Sequence, residues 1–392
     1  MLTNLALIFL LGLLLGKFFV KIKLPSLVGM IFTGMILSPY AFNLLNPTII
    51  NLSTDLRQLA LIIILTRAGL SLDIADLRKV GRPAVLMCFL PACFEIIGVI
   101  IFAPIFLGMS YLDSAIMGAV IAAVSPAVIV PRMIKMMEEG YGKEKCIPQM
   151  ILAGASVDDI FVIVIFTAFI SLATGKGASV IDFVQIPVSI VLGIIIGIVV
   201  GFGLVLFFKK FHMRDTIKLI IILCISFLII ELQNQLEGIV PISGLLAIMS
   251  MGISIYGRNS VLGSRLSVKY NKIWIAAEVL LFVLVGATVD LDYAFRAGVS
   301  ALAVVLIALL FRMSGVFVCL IKTKLNLMEK IFCMVAYTPK ATVQAAIGAI
   351  PLSIGLGCGQ QVLTVAVISI LVTAPLGAFG IDNLYKKLLL KN

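Results

Sequence analysis

The sequence predicts an all-α polytopic membrane protein of about thirteen transmembrane helices, and composition and patterning both support this fold class. Hydrophobic residues make up 62% of the 392 positions and charged residues only 12%. A soluble protein of this size has too little core to bury so much apolar surface. Apolar runs also follow one another along the whole chain, and no hydrophilic block long enough for a separate soluble domain interrupts them.

The predicted transmembrane segments are separated by short charged or turn-rich connections. Their approximate ranges are 2–20, 25–40, 55–73, 83–107, 112–136, 147–174, 181–208, 216–234, 239–256, 272–289, 297–321, 327–349 and 360–384. The second and ninth segments are short, so each is expected to be tilted or interrupted.

The distribution of basic residues predicts the orientation. With the N-terminus outside, the inner connections and the C-terminal tail hold 24 of the 30 Lys and Arg residues, and the outer connections hold Arg57, Lys176 and Arg296. This is the bias that the positive-inside rule describes. We therefore expect a multi-pass protein of the cell (inner) membrane with its C-terminus in the cytoplasm. The same bias accounts for the net charge of +11 without a nucleic-acid partner.

Two predicted spans carry a hydroxyl residue followed by proline near their centres. These pairs are Ser125-Pro126 in the fifth span and Thr338-Pro339 in the twelfth. Proline removes a backbone donor and breaks a helix. Broken helices at membrane depth are tolerated where they are buried in protein or line a polar cavity.

The helices before these prolines also match each other. Glu95 lies mid-span before Pro126, and Arg312 lies mid-span before Pro339. Because the fifth and twelfth spans run in opposite directions, the sequence predicts inverted-topology repeats, spans 1–6 against spans 8–13. In transporters built this way, two crossed, broken helices form the ion site.

Two adjacent carboxylates, Asp158 and Asp159, lie near the centre of the sixth predicted span. A charged residue at that depth costs about 2.5–3.5 kcal/mol on insertion scales, and two side by side also repel each other. A chain accepts this cost chiefly where it moves protons or cations. The pair is therefore the strongest single indication of function.

Five ionisable side chains are expected to converge on the crossing: Glu95, Asp158, Asp159, Arg312 and Lys340. When all are ionised their charges sum to −1, which favours one bound cation, either a proton or a small metal ion. Mutually exclusive binding of the two is the chemistry of an antiporter. A Glu95–Arg312 pair would hold the two repeats together. One aspartate would point at the crossing while the other pairs with Lys340.

Hydroxyl oxygens near the breaks are further candidates for an Na+ or Li+ site, because these hard cations prefer oxygen ligands. Ser125, Ser156 and Thr338 supply such groups, although each hydroxyl could instead bond to its own helix. No resident cofactor is expected. The only histidine, His212, lies in a basic connection, and the seven cysteines show no pairing pattern.

Five stretches carry a resemblance to a known family: Pro25–Gly29, Arg67–Asp73, Ala123–Val128, Ser156–Asp159 and Pro339–Ala345. The chain resembles the monovalent cation:proton antiporters of the second branch, which share the fold of the NhaA and NapA exchangers. It is most similar to the NHA-type sodium/proton exchangers. The similarity covers nearly the whole chain, and the last three stretches are specific.

The resemblance implies a role for each central residue. Asp159 would be the principal carboxylate for Na+ and H+, Asp158 its partner, and Lys340 an ion-pair partner of these two aspartates. Arg312 stands where electrogenic relatives have a lysine, and Glu95 would be its partner. Because arginine stays protonated, either Lys340 carries a second proton or the exchange is electroneutral.

The family also implies a homodimer that works by an elevator motion. Residues 80–175 and 295–392 would form the moving core. Residues 1–79 and 213–294 would form the dimerisation scaffold, and 176–212 the linker helix. The expected partners are membrane lipid, the transported ions and a second copy of the chain.

Three other functions remain open from the sequence. A K+/H+ antiporter or potassium efflux system would keep the fold and change the ion. A sodium-coupled organic anion symporter would also have crossed, broken helices, but a tightly charged centre suits a bulky organic anion poorly. A passive cation channel or an ion-sensing membrane protein is the third. An enzyme is not expected, because no nucleophile–base pair, metal cluster or phosphate-binding loop is evident.

Overall fold

The computed structural model describes residues 1–71, 81–175, 180–236, 240 and 242–391, and for residues 156, 180–187, 291, 294 and 295 it describes the backbone only. Some features singled out above therefore lie outside the described residues. They are the end of the Arg67–Asp73 stretch, the basic residues Arg78, Lys79 and Lys176, and the side chain of Ser156.

The regular structure of the described residues is helical, apart from one antiparallel bridge between Tyr141 and Lys391. The helices are α1 (Leu2–Lys21), α2 (Ser26–Leu37), α3 (Pro47–Asn51), α4 (Ser53–Ser71), α5 (Arg82–Met87), α6 (Leu90–Leu107), α7 (Tyr111–Ala122), α8 (Pro126–Glu139), α9 (Ile147–Thr174), α10 (Val180–Lys210), α11 (Asp215–Gln235), α12 (Gly244–Arg258), α13 (Ser260–Ala287), α14 (Leu291–Cys319), α15 (Leu327–Ala336), α16 (Thr342–Ile347), α17 (Ile350–Ser353) and α18 (Gly359–Leu388).

Within these ranges, eight helical stretches are long and apolar enough to cross a membrane. They are Leu2–Lys21, Arg82–Leu107, Tyr111–Glu139, Ile147–Thr174, Val188–Lys210, Ser260–Ala287, Arg296–Cys319 and Gly359–Leu388. Shorter apolar helices accompany them, among them α2 and α12. The predicted class, an all-α polytopic membrane protein, is therefore confirmed. The count of thirteen spans stays a prediction.

Both mid-span prolines coincide with a helix break. The first break separates the end of α7 at Ala122 from the start of α8 at Pro126. The second separates the end of α15 at Ala336 from the start of α16 at Thr342 and contains Pro339. Pro126 is the first residue of α8, a position whose backbone N–H would have no partner within the helix, so proline is tolerated there.

The described residues fall into two compact units. The first draws on Met1–Leu56, Asp76–Val162 and Val279–Asn392, and the second on Arg57–Ala75 and Ile163–Glu278. Both helix breaks and all five central charged residues belong to the first unit. The division into scaffold, core and linker segments stays a prediction.

In the first unit, glycines bring α6 and α14 close together. A Cβ at Gly98 would lie 2.8 Å from a ring carbon of α14, and a Cβ at Gly315 would lie 2.8 Å from the backbone of α6. Glu95 and Arg312 lie three residues from these glycines and so share their helix faces. Close packing of two apolar helices thus places a carboxylate directly against a guanidinium.

In the second unit, α10 packs against α12 along three glycines, Gly193, Gly197 and Gly201. A Cβ at Gly193 or Gly201 would lie 2.6 Å from a carbonyl oxygen of the opposing segment, and a Cβ at Gly197 would overlap the carbonyl oxygen of Ala247. This GxxxGxxxG spacing is a common means of close helix contact in membranes. The row therefore serves packing.

We expect Gly197→Ala to lower the melting temperature of the purified protein by several degrees, because overpacking of this kind costs about 1–3 kcal/mol. Gly203 provides a matched control on the same helix, since no heavy atom lies within 4 Å of a Cβ built there. Gly203→Ala should leave the melting temperature unchanged or slightly higher. Thermal unfolding in detergent, followed by size-exclusion chromatography, measures both. Equal melting temperatures for the two variants would contradict this packing.

Candidate ion-binding site

Arg312 on α14 is fully buried, and its guanidinium joins four groups. Nη1 donates to Glu95 Oε2 on α6 at 2.9 Å, and Nη2 donates to Asp158 Oδ2 on α9 at 2.9 Å. Nε donates to the Tyr337 carbonyl at 2.7 Å, and Nη1 also donates to the Ala122 carbonyl. One planar cation therefore connects two carboxylates with the ends of α7 and α15, a task that suits the fixed fork of donors in arginine.

Lys340 lies in the second break and is also fully buried. Its Nζ is 2.7 Å from Glu95 Oε1 and 2.8 Å from Glu95 Oε2, and it donates to the Ile121 carbonyl. Its backbone N–H donates to Thr373 Oγ1 on α18 at 3.0 Å. Glu95 is thus shared between two cations.

The observed pairing agrees with the sequence in one respect and corrects it in another. The expected Glu95–Arg312 pair is present at 2.9 Å. The sequence also leads one to expect Lys340 to pair with one of the two aspartates, whereas in the structure Lys340 pairs with Glu95 and Asp158 pairs with Arg312. The physical reason is the shape of arginine, whose two terminal nitrogens reach both carboxylates at once.

The end of α7 is capped by side chains from other helices. The carbonyls of residues 121–123 accept hydrogen bonds from Lys340, Arg312 and Gln344 in that order. These carbonyls have no partner within the helix because α7 stops there, and positive charge is favourable at a helix C-terminus. The break therefore has the donors that a buried helix end needs.

The two breaks contact each other directly. The backbone N–H of Ser125 in the first break donates to the Pro339 carbonyl in the second at 2.7 Å. The neighbouring N–H, that of Val124, donates to Asp158 Oδ2 at 2.8 Å. Two backbone N–H groups of the first break thus bind the second break and Asp158 on α9.

The two aspartates are both shielded from solvent. Asp158 is fully buried and Asp159 is 7% exposed. Oδ1 of Asp158 makes no hydrogen bond within the described part of the chain. Arg312, Lys340, Glu95 and Asp158 form a connected network of two cations and two anions, whose formal charges cancel. Asp159 brings the formal charge of the five residues to −1.

The candidate hydroxyls differ in their bonding. Thr338 Oγ1 donates to the Val335 carbonyl of its own helix at 2.8 Å. Ser125 is fully buried, and its Oγ makes no hydrogen bond among the residues that the structure describes. The Ser156 side chain is outside the described residues. Ser125 Oγ is thus without a competing partner among the described residues, whereas Thr338 Oγ1 is oriented by its own helix but keeps its lone pairs.

Three residues of this cluster were not singled out from the sequence. The Tyr337 hydroxyl donates to the Met87 carbonyl at 3.0 Å, and its ring centroid lies 5.1 Å from the Arg312 guanidinium carbon. Thr373 binds the Lys340 backbone, and Gln344 binds the end of α7. Gln344 could have been noticed in the sequence as a polar amide within the apolar stretch after Pro339. Its partner could not, because Gln344 binds a backbone carbonyl and every residue carries one.

Ionisable residues buried at two broken helices of a polytopic membrane protein define a membrane ion transporter. The chain belongs to the sodium/hydrogen exchanger family, whose transmembrane model matches residues 5–387.

Individual relatives are similar along most of the chain. Sodium/hydrogen exchanger 9B2 of Mus musculus is 33% identical over 96% of this chain and 72% of its own length. Sodium/hydrogen exchanger 9B1 of Homo sapiens is 30% identical over 94% of this chain and 73% of its own length. The solved structure of the sodium proton antiporter MjNhaP1 from Methanocaldococcus jannaschii superimposes with a TM-score of 0.85. It is 20% identical and covers 99% of this chain and 98% of its own. That similarity supports the fold.

We expect Arg312→Gln to destabilise the protein strongly, because it leaves Glu95 and Asp158 buried with a single cation between them. Breaking a buried pair in this way typically costs about 3–5 kcal/mol. Adding Asp158→Asn restores the formal charge and should recover part of the lost melting temperature, since residues of one network couple. A double-mutant cycle of melting temperatures in detergent measures this. Strictly additive losses would show that the two side chains do not act as a pair.

Proposed function

We propose that this protein is a secondary active transporter that exchanges Na+ or Li+ for H+ across the membrane, with the two ions competing for Asp159. The observation that carries the proposal is the charge of the buried cluster. Four of its members balance one another, and Asp159 adds one negative charge. A net negative charge in a nonpolar surrounding is costly, and binding one proton or one monovalent cation brings the formal charge of the five residues to zero.

The oxygen atoms near the aspartates suit a small hard cation. Asp158 Oδ1 and Ser125 Oγ are buried oxygens without a hydrogen bond in the described residues. Carboxylate, hydroxyl and carbonyl oxygens are the ligands that such ions prefer. In the proposed site, Asp158 and Asp159 supply carboxylate oxygens to Na+, and Ser125, Ser156 and Thr338 are the candidate neutral ligands beside Pro126 and Pro339.

Membership of the sodium/hydrogen exchanger family supports the same ions. The 9B2 and 9B1 relatives carry the name sodium/hydrogen exchanger, and the archaeal protein of similar fold is a sodium proton antiporter. No catalytic chemistry is needed for such exchange, and the transported ions are the only small partners that the proposal requires.

The proposed transport cycle is an elevator motion of a core domain against a dimerisation scaffold. Residues 80–175 and 295–392 contain both breaks and all five charged residues, and they would carry the ion. Residues 1–79 and 213–294 would form the stationary, dimerising scaffold, joined through 176–212. The orientation in the membrane would follow the positive-inside bias, with the N-terminus outside.

The paired cations set the stoichiometry in this scheme. Arg312 remains protonated at every physiological pH and is fixed by four contacts, so it serves as a structural charge. Lys340 contacts the same carboxylate as Arg312. Because Arg312 keeps its proton, a second transported proton would have to come from the Lys340 ammonium. A potential clamp on liposomes distinguishes electrogenic from electroneutral exchange.

We expect Asp159→Asn to abolish Na+-driven proton movement in proteoliposomes that carry a pH-sensitive dye, because the amide holds neither ion. Asp55→Asn, which changes an exposed aspartate on α4, should transport like the unmodified protein. Retention of Na+/H+ exchange by Asp159→Asn would refute the assignment of the site. Parallel assays with Li+ and K+ test the ion. A response to K+ alone would indicate a K+/H+ antiporter, and cation flux without proton movement would indicate a channel.

Competition for one carboxylate also predicts how Na+ affinity depends on pH. Protonation removes the charge that binds Na+, so the apparent KM for Na+ should rise as pH falls. The rise should approach tenfold per pH unit where the protonated form dominates, the limit for one competing proton. Initial rates across Na+ concentrations at several pH values measure this. A maximal rate that falls with pH while KM stays constant would argue against competition at a shared site.

A further inference from the structure

Gln344 on α16 is buried, with 1% of its surface exposed, and its side-chain amide spans the gap between the two broken helices. Its Nε2 donates to the Ala123 carbonyl at 2.6 Å and lies 3.4 Å from the Ile121 carbonyl. Its Oε1 has no hydrogen-bond partner in the described part of the chain. The contact that fixes this side chain is therefore its donation to the first break.

The Ala123 carbonyl belongs to the same peptide unit as the Val124 N–H. That N–H donates to Asp158 Oδ2 at 2.8 Å. A peptide unit is planar, and in its trans form the C=O and the N–H point in opposite directions. Gln344 and Asp158 thus hold one peptide plane from its two sides, and the orientation of this plane determines where the N–H meets the carboxylate.

The hydrogen bond to the Ala123 carbonyl also polarises the Ala123–Val124 peptide. A donor bound to a carbonyl oxygen makes the N–H of that amide a better donor, which is the origin of cooperativity in hydrogen-bond chains. The hydrogen bond from Gln344 therefore strengthens the one that Asp158 accepts. Asp158 is adjacent to Asp159 on α9, so the chain of contacts ends beside the proposed ion carboxylate.

We propose that Gln344 is a positioning residue for the ion site, which acts through the Ala123–Val124 peptide to fix Asp158 beside Asp159. The inference rests on the proposed function. Gln344 would contact neither the ion nor the proton. Lys340 and Arg312, which also donate to carbonyls at the end of α7, supply the positive charge there. The Gln344 amide adds a directed neutral donor and leaves the charge of the cluster unchanged.

The test replaces the amide by an apolar side chain of similar length and measures ion binding and transport separately. Gln344→Met should raise the apparent KM for Na+ in proteoliposomes by about fivefold, within the range expected for one lost hydrogen bond. Its maximal rate should stay within about twofold of the unmodified protein. In detergent, the Li+ concentration that half-saturates the rise in melting temperature should increase by a similar factor.

Gln361→Met is the matched control. Gln361 on α18 also donates from Nε2 to a terminal helix carbonyl, that of Leu107, at 3.3 Å, but Leu107 ends α6, away from both breaks. We expect this variant to change neither KM nor the Li+ titration. Gln344→Asn keeps the amide but shortens its reach, so it should raise KM as Gln344→Met does. It also provides the measurement if the methionine variant does not fold.

The failures of this inference and of the proposed function are distinguishable. If the unmodified protein shows no cation-coupled proton movement, the proposed function fails, whereas the Li+ titration still tests Gln344. If the unmodified protein exchanges Na+ and both Gln344 variants keep its KM and its Li+ titration, the positioning role is overturned. A fall in maximal rate at unchanged KM would overturn it equally.

Discussion

The contact between the Arg312 guanidinium and two carboxylates holds together the centre of the first unit. Four structural elements meet at this side chain: α6 through Glu95, α9 through Asp158, and the ends of α7 and α15 through backbone carbonyls. A buried cation is tolerated only when its donors are satisfied and its charge is matched. Glu95 and Asp158 match the charge and accept two hydrogen bonds, and the carbonyls of Tyr337 and Ala122 accept two more.

The helix breaks and the buried charges depend on each other. A helix that ends inside the membrane exposes carbonyl and N–H groups that water cannot reach. Here the carbonyls are capped by Lys340, Arg312 and Gln344, and a freed N–H binds Asp158. The charged side chains in turn need partners in a nonpolar surrounding. Each costly feature therefore supplies what the other lacks. Glycines make the arrangement possible, because Gly98 and Gly315 let α6 and α14 approach closely enough for Glu95 to meet Arg312.

Much of this could be predicted from residue type and spacing. Long apolar runs gave the fold class, and the prolines at 126 and 339 gave the positions of both breaks. The mid-span charges identified the four members of the buried network, and the equivalent places of Glu95 and Arg312 in two halves of the chain indicated that these two pair. Partner choice was less accessible. Lys340 and Arg312 are both long, flexible cations within reach of several acids, and sequence distance does not rank these contacts. The structure pairs Lys340 with Glu95 and Asp158 with Arg312, whereas the sequence led to the expectation that Lys340 would pair with one of the two aspartates.

Residue types and their spacing established that the chain is helical and membrane-embedded, where its helices break, and which ionisable groups lie mid-span. These properties follow from local chemistry, namely hydropathy, the missing N–H of proline and the cost of charge in hydrocarbon. The folded structure was needed to show how Lys340 and Asp158 pair, that Tyr337, Thr373 and Gln344 join the network, and that Thr338 bonds to its own helix while Ser125 does not. The physical reason is that most of these bonds end on backbone carbonyl or N–H groups. Every residue carries such groups, so side-chain chemistry cannot reveal which are used until the fold brings distant segments together.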